Sequence, residues 1–300
     1  MTTIEVFAGP GRWHRPLVGF AVAAAVVAIV AVGGLLLDGR VLTGVPIWLK
    51  PFKFAVSFSV YGLTLAWMLT MLPRRSRAAG WAATVLVGVS VIELAIIVIQ
   101  VVRGTTSHYN ETTPLNAALW SAMGSSIMVL FVAQLVIAVV ALIQRIPDRA
   151  MAWAIRLGLL LSLLGMAVAF PMVRQTTGIE GVTGAHSVGV PDGGPGMPLT
   201  GWSTAGGDLR IGHFVGLHAL QALPLLAYAL RRVGERSRFG LVLVGGVAYG
   251  VLELLLTWQA LRAQPLLRPD GITLIALAAL VAGTAAGVAA VLARGRRALP

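Results

Sequence analysis

The chain contains no cysteine. Disulfides, thiolate metal sites, iron–sulfur clusters and covalently attached c-type haem are thereby excluded. Charge is scarce as well: Asp, Glu, Lys and Arg make up 11% of the 300 residues, against about 25% in an ordinary soluble domain. Acids are scarcest, 11 Asp and Glu against 23 Lys and Arg. Two signatures of phosphate and acyl chemistry are also missing. There is no Gly-x-x-x-x-Gly-Lys-Ser/Thr loop and no Gly-x-Ser-x-Gly elbow.

What is present is apolar: 57% of the residues are hydrophobic. A helix needs ~20 apolar residues to cross the hydrocarbon core. Runs of that order lie at 17–37, 51–72, 80–102, 115–143, 151–172, 211–230, 239–260 and 272–292. They predict an all-α fold, a polytopic integral membrane helix bundle of eight spans. Unbroken runs of this length exclude a transmembrane barrel. The first run follows basic residues, as a signal peptide does, but it exceeds the ~7–15 residues of a signal core and reads as a retained helix.

The net charge of +12 suits either nucleic acid or the cytoplasmic ends of membrane helices. Its distribution favours the second, with no nucleic-acid partner. Arg12, Arg15, Arg74, Arg75, Arg77, Arg145, Arg149, Arg231, Arg232, Arg236, Arg238, Arg294, Arg296 and Arg297 fall on one side. Arg40, Lys50, Lys53, Arg103, Arg174, Arg210, Arg262 and Arg268 fall on the other, and Arg156 lies inside the fifth span. The richer side is read as cytoplasmic, with both termini there, in a bacterial plasma (inner) membrane. The bilayer is then the first partner.

The longest connection, 173–210, is glycine-rich and sits on the outer side. Long connections without structure of their own are lids, binding loops or solvated linkers. A lid is expected here because the segment leads into Gly207-Asp208-Leu209-Arg210-Ile211-Gly212-His213-Phe214-Val215-Gly216-Leu217-His218-Ala219-Leu220-Gln221. Acid, arginine, histidines and glutamine at the mouth of a membrane helix are costly to remove from water and need partners or a purpose.

A shift of 160 along the chain superposes Leu49, Lys50, Lys53, Phe54, Gly80 and Glu93 on Leu209, Arg210, His213, Phe214, Gly240 and Glu253. Glu93 and Glu253 are the only acids deep inside any run, and each is followed by Gln-x-x-Arg: Gln100 with Arg103, and Gln259 with Arg262. The expectation is one membrane domain made of a parallel 4+4 internal repeat, 1–150 and 151–300, with spans two, three, six and seven at its centre.

A glutamate in hydrocarbon must be neutral or meet a cation. The predicted ligand-binding set is Lys50, Lys53, Glu93, Gln100, Arg103, His108, Asn110, Arg210, His213, His218, Gln221, Glu253 and Gln259. These groups define an outward-facing polar site between spans two, three, six and seven, with a basic rim above two carboxylates. Asn110-Glu111-Thr112 also fits a glycosylation pattern. His213 and His218 are five residues apart, about 140° around a helix, so they do not jointly ligate one ion. A partnership of His108 with either of them leaves haem or a divalent metal open. Gly246-x-x-x-Gly250 and Gly283-x-x-x-Gly287 read as close helix packing.

Three functional readings stand. One is binding, with or without transport, of a small polar or anionic ligand. Another is an outer-leaflet enzyme, redox with haem or metal, or hydrolytic, whose catalytic residues are unassigned. The third is a structural or assembly subunit whose polar groups pair.

Trp48-Leu49-Lys50-Pro51-Phe52-Lys53-Phe54, Arg103-Gly104 through Ser107-His108-Tyr109-Asn110, and Gly207-Asp208-Leu209-Arg210 through His213-Phe214-x-Gly216-Leu217-His218 resemble signatures of an uncharacterised family of bacterial polytopic membrane proteins. The resemblance spans nearly the whole chain and implies a bacterial plasma-membrane setting. It implies no activity.

Overall fold

Eight helices long and apolar enough to cross a bilayer follow one another in a computed structural model that describes residues 13–296. They are α1 (Arg15–Leu37), α2 (Leu49–Met71), α3 (Arg77–Val102), α4 (Pro114–Ile143), α5 (Arg149–Ala167) continued by the short α6 (Ala169–Val173), α7 (Leu209–Ala229), α8 (Glu235–Leu261) and α9 (Gly271–Arg296). α5 and α6 form one span. Each helix covers its apolar run to within one residue, because a segment in lipid must satisfy its backbone internally. Arg12 and Arg297, counted in the charge balance, lie outside the described residues.

Polar residues set where the helices begin. Ser76, Thr113, Asp148 and Asp208 are N-caps, accepting from the backbone N–H of Ala79 (3.3 Å), Asn116 (3.2 Å), Met151 (2.9 Å) and Arg210 (3.1 Å). Each such cap stabilises by about 1 kcal/mol. Pro114 takes the first helical position, where its missing N–H costs nothing.

The chain divides into two compact units. The first runs to Ile146 and takes in Glu180–Val182; the second comprises Pro147–Ile179 and the chain from Thr183. In the first unit α1 packs along α2 and α3 along α4, while α1 and α2 both touch α3. Small residues permit the approach. A Cβ on Gly62 of α2 would lie 3.1 Å from the Leu17 carbonyl oxygen of α1.

In the second unit α5 packs along α7, α7 along α8 and α8 along α9, and α5 also touches α8. Gly246 and Gly250 face Leu157 and Leu161 of α5, so the first Gly-x-x-x-Gly motif is a packing face, as expected. The second is only half one: Gly287 faces Val244, whereas a Cβ on Gly283 would meet nothing. Large apolar side chains such as Ile29, Leu36, Leu142, Ile143 and Ile275 are exposed. On helices of this composition such surfaces meet lipid.

Two short sheets interrupt the helices. β1 (Val41–Leu42) pairs antiparallel with β2 (Val45–Pro46) across Thr43 and Gly44. Both turn residues have positive φ (48° and 76°), as a two-residue hairpin requires. β3 (Ser187–Val188) pairs antiparallel with β4 (Gly207–Asp208), directly before α7.

The long connection therefore carries a backbone framework of its own. Within it Asp192 accepts from the backbone N–H of His186 (3.0 Å) and Ser187 (2.8 Å) and lies 2.7 Å from His186 Nδ1. Burial works to raise the Asp192 carboxyl, but the His186 ring and these N–H groups outweigh it and hold it well below the usual range. Residues 180–182 are tied into the first unit. Val182 bridges to Asn110, and Glu111 N–H donates to the Gly181 carbonyl at 2.7 Å.

Candidate functional site

Of the predicted set, Lys50, Lys53, Glu93, Gln100, Arg103, His108 and Asn110 belong to the first unit, and Arg210, His213, His218, Gln221, Glu253 and Gln259 to the second.

In the first unit Glu93 is 1% exposed, and its Oε1 accepts no hydrogen bond from the protein. Ser90, three residues earlier and so on the same helix face, is 0% exposed, and its Oγ likewise has no partner. A cation whose charge acts on Glu93 is Lys50, in the first turn of α2. The Lys50 ammonium also stands 6.0 Å from the centre of the Phe54 ring. Phe54 in turn meets the His108 ring edge-on at 5.7 Å, and Trp120 and Tyr109 enclose that imidazole at 5.6 and 6.0 Å. Ser107 Oγ lies 3.0 Å from His108 Nδ1. A hydroxyl, a carboxyl and an ammonium thus lie along α3 and the start of α2, next to an aromatic wall.

The end of α3 is built differently. Gln100, fully buried, donates through Nε2 to the Thr106 carbonyl (3.2 Å) and to Asn116 Oδ1 (3.1 Å). Arg103 donates to Gln100 Oε1 (2.5 Å) and Asn116 Oδ1 (2.8 Å). The Asn110 amide donates to Thr105 Oγ1 and the Thr106 carbonyl, both at 2.9 Å. These side chains hold the turn from α3 to α4. Asn110 is 2% exposed, so its amide is structural and not a surface for glycosylation.

In the second unit Arg210 is matched by an acid. Asp208, 1% exposed, receives Arg210 Nε (2.9 Å) and a terminal guanidinium nitrogen (2.5 Å), together with the Ser203 N–H (2.7 Å). Arg210 also donates to the Gly201 carbonyl at 2.7 Å. The pair locks the loop onto the start of α7.

Three residues further on, His213 Nδ1 lies 2.7 Å from the Gly165 carbonyl of α5. A carbonyl only accepts, so Nδ1 carries the hydrogen. Glu253 on α8 is 0% exposed, and neither carboxyl oxygen has a hydrogen-bond partner in the protein. Its carboxyl rests on Gly216 of α7, where a Cβ would overlap it. His218 Nδ1 and Gln221 Oε1 pair with one another at 3.2 Å on an exposed face of α7. Gln259 donates to the Pro265 carbonyl (2.8 Å), and Arg262 binds Asp270 (2.5 Å) at the start of α9. Asp270 is held well below the usual carboxylate range by Arg262 first and by the Thr273 N–H next.

Comparison of the chain with models of protein families, with curated proteins and with solved structures gives no match. Among the described residues no three His, Asp or Glu side chains converge as metal ligands.

Sequence reasoning missed several members. Ser90 carried a signal, since it stands one helical turn before Glu93. Asp208, inside the stretch 207–221, carried a signal too, an acid two residues before Arg210. Asn116, Thr273, Gly165 and Gly216 carried none, because each acts through a neighbour distant in the chain.

Proposed function

We propose that the chain is a multi-pass protein of a bacterial plasma membrane that binds a small polar ligand within the membrane. The ligand presents a hydrogen-bond donor to Glu93 and an acceptor or negative charge to Lys50 and Ser90. The observation that carries this is the pair Ser90 and Glu93, two polar side chains on one face of α3 that are buried and whose Oγ and Oε1 have no hydrogen-bond partner. Leaving buried polar atoms unmet costs about 1–3 kcal/mol each. A bundle that keeps two of them together beside an ammonium is built to spend that energy on a ligand. The anion-binding share of the reading is narrowed, because Arg210 and Arg262 already carry carboxylates of their own.

Both termini are cytoplasmic in this reading, and the site opens outward. The two units are parallel repeats. Support for the repeat comes from the order of helix pairing, first with second, second with third, third with fourth and first with third in each unit. The Gln-x-x-Arg turns support it further.

The test is thermal stabilisation of the purified full-length protein by a panel of amino acids, small organic acids, polyols and amines. A stabilising compound loses its effect in Glu93→Gln and in Lys50→Ala. Equal stabilisation of the wild type and both variants would rule out this site. Full recovery of stability and phenotype on exchanging the two charges, Lys50→Glu with Glu93→Lys, would instead mark a structural pair.

A further inference from the structure

Glu253 presents a separate problem. Three helices meet at its carboxyl. Gly165 of α5 and Gly216 of α7 are in direct backbone contact, since a Cβ on Gly165 would stand 2.8 Å from the Gly216 Cα. The Glu253 carboxyl of α8 fills the space that these glycines leave, with its carboxyl carbon 2.6 Å from where a Gly216 Cβ would be.

The donors around it are turned elsewhere. Tyr249, one turn before it on α8, donates to the Val215 carbonyl of α7 at 2.6 Å. Thr257, one turn after it, donates to the Glu253 backbone carbonyl at 2.9 Å. His213 on α7 donates through Nδ1 to the Gly165 carbonyl. Both carboxyl oxygens are thus fully buried and receive no hydrogen bond.

Among the described residues no salt bridge reaches the carboxyl either. α9 carries no titratable residue between Gly271 and Ala293. On α5 the ionisable side chains are Arg149 and Arg156, which lie over the rings of Phe239 and Trp153 toward the other end of the helix. On β4 and the start of α7, Asp208 and Arg210 neutralise one another. His213 and Tyr249 each already donate to a carbonyl, and His218, two residues beyond Gly216, pairs with Gln221 on an exposed face of α7. A hard metal ion requires around six oxygen ligands, whereas this junction offers one carboxyl and carbonyls already engaged. An ionised carboxylate buried without donor or counter-charge bears its full cost of leaving water. A proton removes that cost and needs no additional room.

We propose that Glu253 is an intramembrane proton-binding site, filled while α5, α7 and α8 are closed around it and emptied only when the junction opens to water. Proton release then separates helices that the glycine contacts hold together, so the site couples protonation to helix packing. The inference concerns the second unit alone and does not depend on a ligand being found in the first.

The experiment is infrared spectroscopy of the purified protein in lipid at neutral pH, read at the carbonyl stretch of a neutral carboxylic acid. Wild type shows the band, and Glu253→Gln, which is isosteric and uncharged, loses the Glu253 share of it. On raising the pH the wild-type thermal midpoint falls, and that of Glu253→Gln stays flatter. An acid band unchanged by Glu253→Gln overturns the proposal. Should that variant not fold, labelling of the wild type with dicyclohexylcarbodiimide, which adds to a protonated buried carboxyl, decides the matter. An adduct mapped to Glu253 whose yield falls with rising pH supports the site, and no adduct there at any pH overturns it.

Discussion

Gln100 and Gln259 make the same hydrogen bond in different units: each side-chain amide donates to the backbone carbonyl six residues further on, Thr106 at 3.2 Å and Pro265 at 2.8 Å. Each also accepts, through its own carbonyl, the N–H five residues on, that of Thr105 and of Gln264. The next arginine then reaches the N-terminal turn of the following helix, Arg103 to Asn116 and Arg262 to Thr273. Replacing either glutamine by leucine strands a carbonyl in the turn and costs about 1–3 kcal/mol. The loss is larger for Gln100→Leu, which also removes one of the two acceptors of Arg103 and leaves it Asn116 alone. Thermal unfolding in detergent measures both, and an unchanged midpoint in Gln100→Leu would reject the structural role.

Asp208 has a larger consequence. Asp208→Ala removes the cap of α7 and leaves the Arg210 guanidinium beside a vacated, fully buried position, at about 3–5 kcal/mol. Asp208→Asn keeps an oxygen for the cap and loses less. Amide exchange of residues 201–207 reports it, rising most in the alanine variant. Equal protection in all three proteins would show that the pair does not hold this segment.

Glycine substitutions separate contact from conformation. Gly165→Ala sets a methyl 2.7 Å from the Leu217 nitrogen, against backbone that has nowhere to yield, and costs about 1–3 kcal/mol through overpacking. Gly88→Ala and Gly124→Ala, whose new methyls meet nothing within 4 Å, are neutral or stabilising by up to about 1 kcal/mol. Ranking the three by thermal midpoint tests the close backbone approach of α5 and α7 at Gly165 and Gly216.

His14 supplies a pH dependence. Its Nδ1 accepts from the Leu17 N–H at 3.4 Å and its Nε2 faces the Gly80 carbonyl at 3.2 Å, which only the neutral ring with hydrogen on Nε2 satisfies. Burial lowers its value below that of a free imidazole and outweighs the Gly80 contact, which acts in the opposite direction. The stability it contributes is therefore present above about pH 6.5 and is lost as the pH falls through the lower folded value. Between pH 7.5 and 5.5 the wild-type midpoint drops further than that of His14→Asn, which caps without titrating. Parallel curves would remove His14 from the account.

Much of the candidate chemistry was legible as residue types and little of it as partners. Glu93 and Glu253 stand out in any reading because an acid amid twenty apolar residues has no cheap explanation. That Lys50 acts on Glu93 depends on how two helices lie against each other. Lys50, Lys53, Arg103 and Arg210 read as a basic rim awaiting an anion, and Arg262 as a partner for a glutamate. Arg210 and Arg262 instead meet Asp208 and Asp270, two and eight residues away, because a short link lets an acid at a helix start fold back on a nearby guanidinium. The connection at 173–210 looked structureless, since its order comes from Asp192 and from one pair of two-residue strands too short to leave a pattern.

Length and hydrophobicity alone determined that this chain forms eight helices long and apolar enough to cross a membrane, because lipid offers the backbone no hydrogen-bond partner and each run can satisfy only itself. Which polar groups remain without partners was decided only in three dimensions. Whether Glu253 meets a donor depends on two glycines of other helices and on where Tyr249, Thr257 and His213 turn their hydrogens, and no local rule along the chain contains that choice.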